Sequence, residues 1–227
     1  KSTAPIYFLA AAALLTGRAK EAEVQMPPAL KALFSPLPAA ADDPANPGTP
    51  EKLALGKMLF FEPRLSKSQE ISCNSCHNLD TFGVDNKKFS PGHKGQLGGR
   101  NSPSVYNAAF HVAQFWDGRE PTAEAQAKGP VGNPVEMAMP GGDQVVAVLK
   151  SIPEYVDAFK KAFPGEKHPV TFDNMAKAIG AFERKLVTPG RWDKFLEGDE
   201  TALTAAEKTG AKTFIEAGCA SCHMGPA

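Results

Sequence analysis

Two short strings carry the chemistry of this sequence, Cys73-Asn74-Ser75-Cys76-His77 and Cys219-Ala220-Ser221-Cys222-His223. A thiol at each end of a two-residue gap can form thioethers to both vinyl groups of one porphyrin. The histidine that follows then lies under the iron as an axial ligand. The strings therefore predict two covalently bound haem c groups, one on Cys73, Cys76 and His77 and one on Cys219, Cys222 and His223. All four cysteines of the chain fall inside them, which leaves none for a disulfide. Two other chemistries use paired cysteines. A redox dithiol needs no following histidine, and a zinc site would draw its ligands from both pairs at once.

What each iron can do depends on its other face. A second His or Met confines it to electron transfer, whereas an open or labile position lets a small molecule react there. The remaining histidines are His93, His111 and His168, and the thioether candidates are Met26, Met58, Met137, Met139 and Met175. His93 stands in a Gly/Pro-rich loop that can swing, which suits a detachable ligand. His111, inside Ala108-Ala109-Phe110-His111-Val112-Ala113, reads as packed and hydrogen-bonded, and His168 beside Pro169 as a surface residue. Met224 follows His223 directly and so lies on the wrong side of its own haem.

The elements that position these groups are helical. Thr49 as N-cap with Pro50 at the first helical position opens a helix whose Leu55, Met58 and Leu59 share one face, just upstream of the first string. Thr204 and Glu207 form a capping box for a second helix, through Ala211, Phe214 and Ile215, that leads into the second string. Gly56-Lys57 with Phe60, and Gly210-Ala211-Lys212 with Phe214, mark one helix-then-haem unit used twice. Between the units, Asp143 can cap 144–150, Pro153 opens a turn before Tyr155, Val156 and Phe159, and Phe172, Met175, Ile179 and Phe182 recur at helical spacing. Residues 83–116 are loop-like, and 26–50, rich in Pro and Ala, are expected to wrap a surface as a strap without forming elements. No run alternates as a strand would. The fold class expected is all-α, with two cytochrome c-like haem domains in tandem.

The 227 residues carry 25 Lys and Arg against 25 Asp and Glu. That balance excludes a global field that would draw nucleic acid or an anionic membrane. Lys1 precedes an apolar run from Ile6 to Leu15, too short to span a bilayer and of the kind found in an export signal. Residues 1–25 are read as that segment, which would export the mature protein without stable membrane insertion.

With these residues in hand, the chain resembles the bacterial dihaem cytochrome c peroxidase family from about Pro47 onward. The likeness is carried by Leu55 to Ser66, the first haem string, Gly92-His93, Arg100 to Val105, Ala113 to Arg119, Gln126 to Pro130 and Asn133 to Met137. The resemblance implies hydrogen peroxide as substrate and a small electron-donor protein, a cytochrome c or a cupredoxin, as partner, and a homodimer is left open. It assigns residues 51–150 to an N-terminal peroxidatic haem domain around His77, and 151–227 to a C-terminal electron-accepting haem domain around His223. His93 matches the removable distal ligand, Trp116 the tryptophan between the haems, and Asn101 a residue at an interdomain calcium site. Glu136 matches the carboxylate that moves a proton during O–O cleavage, and Gln126 a residue that orients peroxide. The family places the distal Met of the second haem after the second string, so that domain is expected to be incomplete at Ala227. Two alternatives stand beside the peroxidase: a dihaem oxidase that matures a tryptophylquinone on a partner protein, and a non-enzymatic dihaem electron carrier.

Overall fold

Residues 24–226 are described by the structure, a computed structural model. Its α-helices are α1 (Leu30–Leu33), α2 (Pro50–Phe60), α3 (Cys73–Cys76), α4 (Ala123–Gly132), α5 (Gly142–Lys150), α6 (Pro153–Ala162), α7 (Phe172–Glu183), α8 (Arg191–Leu196) and α9 (Ala205–Glu216). Among the described residues there is no strand, only three isolated bridges, so the all-α expectation holds. From 77 to 122 the chain is loop punctuated by short 3-10 turns. The export segment expected at 1–25 falls almost wholly outside the described residues. No helix among those described is long and apolar enough to cross a membrane.

Local chemistry sets the helix starts. Thr49 Oγ1 accepts from the Lys52 N–H at 3.3 Å with Pro50 following, and Thr204 exchanges bonds with Glu207 as a capping box. Both are the caps the sequence predicts. α5 begins two residues earlier than expected, with Gly141 at the N-cap and Asp143 in the first turn. There Asp143 meets the positive end of the helix instead of closing it.

The main core lies where α2 is enclosed by α6 and α7, with α4 and α5 completing the wall. Leu55, Leu59, Val131, Val145, Leu149, Phe159, Met175 and Ile179 are fully buried in it, each such side chain contributing about 1.5–3 kcal/mol. Met58 does not share the buried face expected for it. Its side chain is exposed, and Gly56 and Phe60 turn inward instead, because α2 is covered on two sides and its buried arc is wider than one stripe. A Cβ added at Gly56 would stand 1.9 Å from the Ala178 carbonyl oxygen, so only glycine lets α2 and α7 approach this closely.

That core runs across the boundary expected at 150/151. A division at 150/151 would separate α6 and α7 from α2, the helix against which they bury Tyr155, Phe159, Met175 and Ile179. The packing divides after α7, where a second, small cluster begins: Phe195 and Leu196 of α8 with Leu30 of α1, flanked by Phe34, Trp192 and Ile215.

The strap does more than wrap. It forms α1, seats the Phe34 ring edge-on against Trp192, and donates from the Leu37 N–H to Asp193 Oδ1 at 2.7 Å. Farther on it reaches the main core, where Arg184 binds Glu124 through two nitrogens at 2.9 Å each, and also the Ala41 carbonyl and Asp43. Asn46 joins the same group through Glu124 Oε1, the Lys177 carbonyl and the Lys52 ammonium.

Burial pushes the Glu124 carboxyl up, but the bonds from Arg184 and Asn46 outweigh it and hold the group below the ordinary carboxylate range. The unfolded chain takes up this proton first as pH falls, so the stability Glu124 confers is complete at neutral pH and lost as pH drops through its lowered value. Glu124→Gln is therefore expected to cost about 3 kcal/mol at pH 7. The gap from the parent protein should narrow below about pH 4, the ordinary carboxylate region. Melting curves across pH check this, and a gap that does not close in acid would refute it.

Candidate functional site

The first cysteine string forms α3, a single turn on which Cys73 and Cys76 stand three residues apart on one side. Ser75 Oγ accepts from the Ser72 N–H at 3.0 Å, and the His77 N–H closes the turn onto the Cys73 carbonyl at 2.9 Å. Both thiols and the imidazole line one cavity of about 430 Å³, within the range of a small-molecule or cofactor site. His77 Nδ1 lies 3.0 Å from the Pro103 carbonyl oxygen. A carbonyl only accepts, so Nδ1 carries the proton and Nε2 keeps its lone pair. Burial also holds the ring below the ordinary histidine range, so it stands neutral and ready to ligate a metal.

The cysteines do not behave as a redox pair. All four in the chain are free, and burial, aided by the charge of Glu183, pushes the Cys73 thiol up to about 12, far from the thiolate that exchange chemistry needs. Among the described residues no three His, Cys, Asp or Glu side chains gather into a metal cluster, so the two strings do not share a zinc. A thiol pair and a neutral, oriented histidine on the wall of one cavity fit a thioether-bound haem.

The opposite walls come from the loop before α4, from α4 itself and from the turn after it. Trp116, Gln126 and Glu136, expected at the peroxidatic site, line the same cavity, and so does Asn101, expected at a calcium site. Trp116 is 65% exposed. Its indole N–H donates to the Asn101 carbonyl at 2.8 Å. Asn101 in turn donates its amide to the Lys87 carbonyl at 2.7 Å. Glu136 accepts from Asn133 Nδ2 at 2.7 Å. Burial holds its carboxyl above the ordinary range, against the pull of Arg119 and Asn133.

His93 is not on the cavity wall. Its backbone N–H is shared between the Val135 and Glu136 carbonyls at 3.0 and 2.8 Å, which seats it against the Glu136 turn. Its Nδ1 is buried without a partner. The neighbouring Gly92 has no room for a Cβ, which would lie 2.0 Å from the Val135 oxygen. His111 is exposed, against the packed position expected of it, and His168 is on the surface as expected.

Sequence reasoning passed over three features. Asp117 bridges Arg100 and Arg119 at the cavity's edge, with 2.8 Å to each, and both arginines hold its carboxyl down at about 2. The Arg119 guanidinium lies 3.3 Å from the Phe115 ring centroid. Glu183, the last residue of α7, also lines the cavity. It is half-buried by area because the cavity opens on it, yet burial of the carboxyl, with Glu124 adding repulsion, pushes it up to about 8. A glutamate in the final turn of a helix opposes the helix dipole, and that was the one signal in the sequence.

The second string repeats the turn, with His223 N–H on the Cys219 carbonyl at 3.1 Å, but not the enclosure. Cys219 and Cys222 are exposed, and the His223 ring has Phe214 edge-on at 6.2 Å. The donor set fits a haem here as well.

A family profile described as di-haem cytochrome c peroxidase matches residues 50–201. The cytochrome c551 peroxidase of Pseudomonas aeruginosa is 52% identical over 196 residues, which are 86% of this chain and 56% of that protein. The cytochrome c551 peroxidase of Nitrosomonas europaea is 50% identical over 195 residues, 83% of this chain and 58% of that one. The chain thus spans a little over half the length of these relatives. Among solved structures, a MauG-like protein associated with microbial copper homeostasis superposes with a TM-score of 0.74 at 31% identity, covering 82% of this chain and 55% of that one.

Proposed function

The chain belongs to the di-haem cytochrome c peroxidase family, and from that premise we propose that it reduces hydrogen peroxide to water in the periplasm, using electrons from a small cytochrome c or cupredoxin. The observation that carries this reading is the shared cavity. One wall holds a thiol pair with a neutral, pre-oriented His77, and the other holds a desolvated carboxyl at Glu136.

Haem bound at Cys73, Cys76 and His77 would supply the iron that meets peroxide and the electrons that split its O–O bond. The residues of the chain manage protons and orientation. Glu136 removes the proton from one peroxide oxygen and returns it to the leaving oxygen, which a carboxyl raised by burial does better than a fully solvated one. Asn133 fixes one oxygen of that carboxyl and leaves the other free to work. Gln126, on α4, donates or accepts to hold peroxide in line. Trp116, pinned by its indole N–H, stands where an electron enters the site. His93, off the cavity wall but seated on the Glu136 turn with an unpartnered Nδ1, would be the detachable ligand.

Cys219, Cys222 and His223 would hold a second haem, which would supply the entry point for electrons from the donor, and the two units would form tandem haem domains. Asn101 contributes to a calcium site between them. Segment 1–25 directs export, and a homodimer is the assembly to test first.

The test uses the full-length holoprotein with one haem pre-reduced. Adding peroxide should oxidise a reduced cytochrome c or cupredoxin with a stoichiometry of two electrons per peroxide. No oxidation ends the peroxidase reading and favours the electron carrier. The alternative enzyme is the tryptophylquinone-maturing oxidase. It would replace the peroxidase if the first haem were high-spin at rest and indifferent to His93→Ala.

A further inference from the structure

We propose that Glu183 is the charge-compensating acid of the first haem site, taking up a proton from water when the iron held at His77 is reduced and releasing it on oxidation. The proposal rests on the reading above only in requiring haem at Cys73, Cys76 and His77. In the step itself the iron gains one electron from a one-electron donor and one O–H bond forms at the carboxylate. The proton comes from solvent through the cavity, and no other bond changes.

The position of Glu183 supports this role. It closes α7 with its side chain on the cavity wall, at the negative end of the helix where a carboxylate is least favoured. Among the described residues its carboxyl makes no hydrogen bond and no ion pair, unlike Glu136, which has Asn133, and Asp117, which has two arginines.

The charged groups around it do not neutralise it. On α4, Glu124 repels it. On its own element, Arg184 is committed to Glu124, Asp43 and the Ala41 carbonyl. The strap presents Asp43, which is already bound to Arg184. α2 faces the end of α7 with Phe60 against Phe182, and neither ring carries charge. α3 brings Cys73, whose thiol feels Glu183 directly and would be a neutral thioether in the holoprotein. A lone carboxyl of this kind is poised close to neutrality, with its proton held up to about 8. An added electron nearby raises its proton affinity further, since like charges in a poorly solvated site repel strongly.

The experiment is a spectroelectrochemical titration of the first haem in the full-length holoprotein, from acid to alkaline pH, for the parent and Glu183→Gln. In the parent the reduction equilibrium should weaken by up to tenfold per pH unit across a window near neutrality, ~59 mV per unit for one electron. In Glu183→Gln it should be flat across that window. A slope retained in the variant, which would then belong to the haem's own carboxylates, overturns the proposal, and so does a flat parent profile. If the variant fails to hold haem, the redox-difference infrared spectrum of the parent decides. A carboxylic-acid C=O band that grows on reduction and shifts in Glu183→Asp supports the assignment, and its absence overturns it. Peroxide turnover measured alongside separates the two readings, since failed turnover with a Glu183-dependent slope ends only the peroxidase.

Discussion

Glu136→Gln should lower peroxide turnover by about 10²–10⁴-fold, the usual contribution of a positioned acid–base group, while both c-type absorption spectra remain intact. The amide has nearly the volume of the carboxyl and still offers Asn133 Nδ2 an oxygen to replace the 2.7 Å bond. The turn that seats His93 is held by backbone carbonyls of Val135 and Glu136 and is untouched by the change. What the amide cannot do is accept a proton from peroxide and hand it back. The loss should therefore fall on turnover and leave haem content and melting temperature near parental values. Steady-state oxidation of the donor and single-turnover mixing with peroxide both read it. Turnover within a few-fold of the parent would remove Glu136 from the reaction.

Gly56→Ala is expected to be the most destabilising of the single-methyl changes in the main core. The added Cβ meets the Ala178 carbonyl oxygen at 1.9 Å, its carbon at 2.7 Å and Phe182 Cβ at 2.8 Å. The first two are backbone and cannot rotate aside, so α2 and α7 must move apart along an interface that also buries Leu55, Leu59 and Ile179. Overpacking of this kind costs about 3 kcal/mol or more, a fall of roughly 6–12 °C in melting temperature for a chain of this size. The displacement also reaches Glu183 at the end of α7. Circular dichroism melts of the holoprotein check it, and an unchanged midpoint would mean that the crossing relaxes freely.

The chemistry was far more legible than the packing. Cys73, Cys76 and His77 announce themselves because thioether attachment demands that spacing, and the cap at Thr49 and the box at Thr204 are fixed by hydrogen bonds within three residues. Local rules suffice for such features. Trp116, Gln126 and Glu136 reach one cavity from three separate stretches, and only the family resemblance anticipated that gathering.

Apart from the start of α5 and the short α1 in the strap, the misreadings concern long-range contact. Met58 and Gly56 differ in exposure because α2 is covered on two sides, which the spacing of apolar residues along one helix cannot reveal. For the same reason the spacing hides that α6 and α7 pack on α2 across the boundary drawn at 150/151. His111 sits in an apolar stretch that turns outward, with Val112 beside it fully exposed.

The strap joins residues far apart along the chain: the Leu37 N–H to Asp193, Leu33 to Gly225 and Ala41 to Arg184. Contacts of such long sequence separation raise contact order and slow the search for the native topology. Residues near 30 are made early, yet their partners past 190 emerge only after the main core, which ends with α7, has been synthesised. The helices around Cys73 can thus close first, and docking of the strap becomes the late event that fastens the small second cluster to the main core.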